Sequence, residues 1–282
     1  RKIIQIIIMT GEPTVETAVK AVKHGANDYL TKPINRDILL KAVSHAEQIK
    51  MLNDEKIALE EQNQLYQREL EATVLERTNA LQNALQGIIS LLSSVVEARD
   101  PYTAGHQRRV GNLSAAIADK MNLSSQIVET IRIIGYIHDI GKIVIPTEIL
   151  SKPGALNSLE MQMIGNHPLS GYEMLMKVDL PGLIGEIIYQ HHERCDGSGY
   201  PRGLSDNDIN IEAKIIMVAD VVEAMMSHRP YRPALGLEAA LQEIRQNAGI
   251  RYDTDVVAKC MELFYKDHYT VDDSEHPISF PL

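Results

Sequence analysis

The chain has 282 residues, 44% hydrophobic and 23% charged, with a formal charge of −10 and two cysteines, Cys195 and Cys260. Its longest apolar runs, Ile3 to Met9 and Ile88 to Val96, are too short to span a bilayer or to serve as a secretory signal, so a cytoplasmic protein with no membrane partner is expected. Two cysteines make neither a disulfide framework nor a thiolate cluster, and the acidic balance argues against long nucleic acid. A small phosphorylated ligand needs only local positive charge, from a metal or two arginines.

Ile3 to Met9 is a β-type run ending at Thr10-Gly11, and Thr14 to His24 follows with Val15, Ala18, Val19 and Val22 at helical spacing until Gly25. Asp28-Tyr29-Leu30 leads to Thr31-Lys32-Pro33, and Asp37 to Glu47 is amphipathic with Ile38, Leu39, Leu40 and Val43 inward. The β-α-β-α order predicts a parallel sheet. At these residues the chain resembles the second half of a response-regulator receiver domain. The resemblance implies Thr10 as the switch hydroxyl, Lys32-Pro33 as the family's lysine and its often cis proline, and an upstream histidine kinase as partner. No acidic pair or phospho-acceptor aspartate precedes Ile3. The first half of the receiver is therefore expected on a longer regulator, because half a doubly wound sheet exposes its central strand edges.

From about Glu47 to Glu97 proline vanishes and Gly87 is the one glycine, while Leu52, Lys56, Leu59, Asn63, Tyr66, Leu70, Thr73, Arg77 and Leu81 step by threes and fours. This narrow seam predicts a parallel coiled-coil homodimer through residues 47–96, with Asn63 favouring a dimeric register; a solvated linker helix is the alternative. Leu81 to Val96 is more apolar, so the same helix should enter the next domain.

After Arg99-Asp100-Pro101 come short punctuated helices. Thr103 to Met121 carries Val110, Leu113, Ile117 and Met121 on one face, and Ser124 caps a helix to His138 striped by Ile131, Ile134 and Ile137. Ser158 reads as the cap of the helix ending at His167-Pro168, and Pro168 opens the one carrying Tyr172 to Met176. Ile184 to His192 precedes a turn-rich loop, Asp196 to Gly203; Ile211 to Ser227 is apolar nearly all round and should be a central helix. Leu237 to Asn247 and Asp255 to Tyr265 complete the domain. The expected divisions are 1–46, 47–84 for the linker helix, 85–270 for the helical domain and 271–282 for a loose tail.

Seven residues should not be buried unless paired: His106, His138, Asp139, His167, His191, His192 and Asp220. In Tyr136-Ile137-His138-Asp139-Ile140-Gly141-Lys142 an apolar run delivers a histidine and an aspartate side by side. Such a set suits a binuclear hydrolytic site, with Asp139 bridging two ions about 3.5–4 Å apart and a solvent molecule between them. His191 and His192 would point about 100° apart on a helix and reach different parts of the site. Imidazole and carboxylate donors without thiolate favour two iron or manganese ions, with zinc, cobalt or nickel allowed by ligand type.

Read together, His106, the His138-Asp139 pair and Asp220 resemble the histidine–aspartate phosphohydrolase superfamily. His167, His138-Asp139-Ile140-Gly141-Lys142 and the run His191-His192-Glu193-Arg194-Cys195-Asp196-Gly197-Ser198-Gly199-Tyr200-Pro201 look like its HD-GYP subfamily, from about Leu85 to Phe264. The implied fold is mainly α: an all-helical metal-hydrolase domain preceded by a long coiled-coil helix and the C-terminal half of an α/β receiver. The implied activity is hydrolysis of cyclic di-GMP to linear pGpG, often continuing to GMP. Lys142 would donate to a phosphoryl oxygen, and Arg229 and Arg232 resemble the family's phosphate-binding arginines. Gly199-Tyr200-Pro201 would shape the pocket, with Tyr200 stacking on a base; Cys195 is expected to be structural. Some members place a carboxylate four residues before the first histidine to hold a third metal, whereas this chain has Tyr102 there, so two ions are expected. The alternatives are a catalytically weak sensor or scaffold, and a hydrolase of a hybrid cyclic dinucleotide such as cyclic GMP-AMP, since nothing in these residues reads the base.

Overall fold

A computed structural model describes residues 4–100, 104–178, 183–228, 234–271, 274 and 276, in two compact units, Arg1–Asn79 and Ala80–Leu282. In the first unit, β1 (Ile7–Thr10) and β2 (Asp28–Thr31) pair in parallel, Ile7 opposite Asp28 and Thr10 opposite Thr31. The Asn27 side chain takes the Ile6 N–H, and strand pairing starts at the next residue, Ile7. Between the strands lies α1 (Val15–Lys23), closed by a capping box in which the Thr14 hydroxyl accepts from Thr17 N and the Thr17 hydroxyl accepts from Thr14 N. The Lys32–Pro33 bond is cis.

The sequence pattern suggests one helix over Asp37–Glu47 and another beyond it. The structure has a single helix, α2 (Arg36–Arg99), of 64 residues. Nothing between them breaks it: the interval holds no proline, and its straight-chain Lys, Glu, Gln and Leu residues all favour helix. Its last turns belong to the second unit, where Ile89 and Val96 are buried.

The rest of that unit is helical: α3 (His106–Lys120), α4 (Ser125–Ile137), a tight turn Ile140–Val144, α5 (Thr147–Leu150), α6 (Ser158–Gly165), α7 (His167–Leu175), α8 (Ile184–Gln190), a second tight turn Asp206–Asp208, α9 (Ile211–Met226), α10 (Leu237–Gln246) and α11 (Thr254–Tyr265). α3 packs against α4 and α9, and Leu113, Ile117, Ile131, Ile134, Ile188, Ile215, Ile216, Leu241 and Ile244 are fully buried. Each such side chain contributes about 1.5–3 kcal/mol relative to an exposed one. As expected, Ser124 caps α4, accepting from Ile127 N. The α6 cap is Asn157, not Ser158: its amide oxygen accepts from Glu160 N while the Glu160 carboxylate accepts from Asn157 N, both at 2.8 Å. The shorter hydroxyl of Ser158 is already inside the first turn. Of the tail, Ser274 is tied down through its carbonyl, which accepts from Asn112 Nδ2 at 3.0 Å. Among the described residues no helix is long and apolar enough to cross a membrane.

Candidate metal centre

Six segments of the second unit deliver polar side chains to one buried place. His106 opens α3 and His138 closes α4; Asp139 leads into the first tight turn; His167 opens α7, with Pro168 in its first turn; Asp220 sits within α9. Gly141 lets the tight turn lie flat on α7, since a Cβ there would stand 1.9 Å from the His167 carbonyl oxygen and 2.6 Å from Gly171 N. α8 ends at Gln190 with His191 as its C-cap, and the pair does not reach different parts of the site as expected. His191 and His192 instead sit together, ring centroids 4.1 Å apart, and share one donor group.

Donor atoms of Asp139, His167, His191 and His192 lie within 4.8 Å of one another, as do those of His106, His138 and Asp139. Asp139 belongs to both groups. Asp220 stands between them, its Oδ1 3.4 Å from His106 Nε2 and its Oδ2 3.9 Å from His192 Nδ1. Three rings are oriented by main-chain carbonyls: Nδ1 of His138, His167 and His191 donates to Gly135, Ile164 and Ile188 at 2.7, 2.8 and 2.6 Å. A carbonyl only accepts, so Nδ1 carries the proton and Nε2 presents a lone pair to the centre.

That assignment leaves acceptors facing acceptors. His167 Nε2 is 3.2 Å from His191 Nε2 and 3.1 Å from Asp139 Oδ1. With the proton on Nδ1 nothing stands between these atoms, whereas a cation would satisfy them all. The donor set thus fits divalent metal ions: imidazoles and carboxylates, with neither cysteine in either group.

Electrostatics prepare the ligand forms. Burial pushes His138 down, His191 to about 3 and His192 well below its usual range, so these rings are neutral. Burial opposes ionisation of Asp139, yet the Lys142 ammonium holds its carboxyl well below the usual range; His106 does the same for Asp220. His106 differs: burial opposes its imidazolium, but Glu223 and Asp220 lift it to about 9.

Lys142 Nζ lies 2.6 Å from Asp139 Oδ2. One face of the Tyr200 ring lies over His192, centroids 4.7 Å apart and 33° from parallel, and the residue is 38% exposed. Arg229, Arg232 and Tyr102 lie outside the described residues. Cys195 is half-buried beside Asp206 and belongs to neither donor group.

Two functional acids escape the sequence reading. Glu223 contacts His106 Nδ1 with one oxygen; on the other it accepts from Arg109 Nε at 2.7 Å and Ser227 Oγ at 2.6 Å. Its sequence signal is an acid three residues after Asp220 in the apolar C-terminal part of α9. Glu193, fully buried, accepts from the N–H groups of Arg202 and Leu204 at 2.8 and 2.9 Å and so folds the loop that carries Tyr200. Gly199 packs on the same stretch: a Cβ there would lie 2.3 Å from Arg194 N.

Comparison with known proteins places this centre among relatives. A cyclic di-GMP phosphodiesterase of Thermotoga maritima is 35% identical over 260 residues, 92% of this chain and 71% of that protein. The cyclic di-GMP phosphodiesterase response regulator RpfG of Xanthomonas campestris is 35% identical over 89% of this chain and 64% of its own length. A 3'3'-cGAMP-specific phosphodiesterase of Vibrio cholerae is 34% identical over 64% of this chain and 43% of its length. The HD domain profile matches residues 90–256, which hold every donor described above, and the chain belongs to the HD domain family.

Proposed function

We propose that the protein is a metal-dependent phosphodiesterase that hydrolyses cyclic di-GMP to linear pGpG. The observation that carries this is Asp139, common to two donor groups whose lone pairs face one another, in an HD domain chain with relatives named cyclic di-GMP phosphodiesterases. Two divalent ions there, iron or manganese by donor type, would supply Lewis acidity at the phosphoryl group and activate water near neutral pH. Of the ligands, Asp139, His167, His191 and His192 would hold one ion and His106, His138 and Asp139 the other, with Asp220 between.

The chain's own residues do the rest. Lys142 presents an ammonium beside Asp139, where it donates to a nonbridging phosphoryl oxygen and offsets charge developing in the transition state. Arg229 and Arg232 clamp the phosphates, and Tyr200 walls the site over His192. Hydrolysis adds one water across one P–O3′ bond: oxygen ends on phosphorus and a proton on the departing 3′ oxygen. One relative is named a response regulator, and this enzyme would likewise be the output of a two-component system, with a histidine kinase as partner and two copies joined along the α2 seam.

Incubating the pure protein with manganese or ferrous iron and cyclic di-GMP should yield pGpG, and His138→Ala or Asp139→Ala should abolish it. Turnover surviving both substitutions would sink the assignment. A second reading, hydrolysis of 3'3'-cGAMP, is favoured by the Vibrio cholerae relative; a kcat/KM for cGAMP above that for cyclic di-GMP would select it.

A further inference from the structure

The last turn of α2 and Asp100 directly after it carry three charged side chains, and each touches an element of the candidate metal centre. Glu97 accepts from the N–H of Gly105, the residue before His106, at 3.0 Å. Arg99 Nη2 donates to the Ile145 carbonyl, just past the tight turn that carries Lys142, at 3.0 Å. Asp100, still bonded to the helix through its N–H on the Val96 carbonyl, puts Oδ2 3.8 Å from Lys142 Nζ. Asp100 and Lys142 are both nearly removed from solvent, with side chains 9% and 13% exposed.

A buried carboxylate beside a buried ammonium is retained only where the partner matters, because isolated burial of either is costly. Lys142 already has Asp139 at 2.6 Å. Cations gathered on Asp139 would repel the ammonium and weaken that attraction. A second carboxylate outside the donor groups supplies the counter-charge that keeps it there. We propose that Asp100 is a positioning residue for Lys142: fixed to the end of α2, it holds the ammonium at the reacting phosphate against the repulsion of the metal centre. The inference rests on the reading of Lys142 given above and deepens it. It also makes the final turn of α2 the place where a change in that helix reaches the reaction.

The test uses the full chain loaded with manganese. Asp100→Asn should lower kcat for cyclic di-GMP roughly 10- to 100-fold, as a displaced catalytic group does, with KM and bound metal unchanged, and Asp100→Glu should restore most of it. Lys142→Met should be impaired, and adding Asp100→Asn to it should cost nothing more, since only coupled residues behave non-additively. An unchanged kcat in Asp100→Asn, an additive double variant, or loss of metal with the activity would each overturn the proposal. A crystal structure of Asp100→Asn gives a readout free of substrate: Nζ should leave Asp139, and an unmoved Lys142 would refute positioning. If wild-type protein turns over no cyclic dinucleotide, the functional reading fails by itself, and that structure still decides the role of Asp100.

Discussion

Behind His106 stands a carboxylate with both oxygens committed, one to the ring and the other to Arg109 and Ser227. Glu223→Gln keeps the shape and removes the charge. Apparent affinity for manganese should fall about 10- to 100-fold, the usual cost of losing a group that orients a ligand, while the protein still melts cooperatively; titration calorimetry on stripped protein checks it, and an unaltered affinity would detach Glu223 from the site. The thiols are the opposite case. Burial, with Asp206 beside Cys195, pushes both Cys195 and Cys260 up to about 12. At pH 8 neither is thiolate, so iodoacetamide should leave both unmodified in the native protein and label both after unfolding. The histidines and aspartates were legible in the sequence because their types are conspicuous at helix ends or, for Asp220, inside an apolar helix. Glu223, Glu193 and Asp100 were not, because an acid in a helix or loop looks solvated until the fold removes its water.

Between neighbouring elements the fits are tighter than any pattern conveys. With the His167 carbonyl where a Gly141 Cβ would go, Gly141→Ala must move the turn off α7. That should cost about 1–3 kcal/mol or more and lower metal content together with Tm; denaturant melts and metal analysis read the two. The loop bearing Tyr200 is pinned to α9 by Lys214, whose Nζ lies 2.7 Å from Asp206. Bonds from Lys214 and then Cys195 hold the Asp206 carboxyl below its usual range. A lowered folded pKa gives stability that is present above the unfolded value, about 3.9, and is lost as pH falls through the folded one. Amide exchange over residues 196–206 should therefore rise below about pH 4, and in Lys214→Met it should be raised already at pH 7. Helix existence was readable from periodicity, as was the Ser124 cap. The α6 cap was missed because Asn157 and Ser158 are both good cap residues, and only the reciprocal bond from Glu160 decides between them.

Every residue of the main buried cluster lies between Ile89 and Phe264. The second unit therefore holds its own core, and residues 80–282 expressed alone should melt cooperatively; a non-cooperative melt would show that the first unit is needed. On α2 the seam residues Leu52, Leu59, Tyr66 and Leu70 are 60, 57, 63 and 51% exposed, the face a parallel partner would cover. Light scattering should give twice the 31.5 kDa chain mass, and Leu59→Asp with Tyr66→Asp should halve it. The first unit leaves apolar surface of another sort, with Ile4, Val15 and Val22 at 77, 84 and 69% exposure around a sheet of two strands. For this chain in a tube the result is colloidal. Such patches are sticky at random and not in one register, so turbidity should grow with concentration and storage time, driven by residues that have no part in the chemistry.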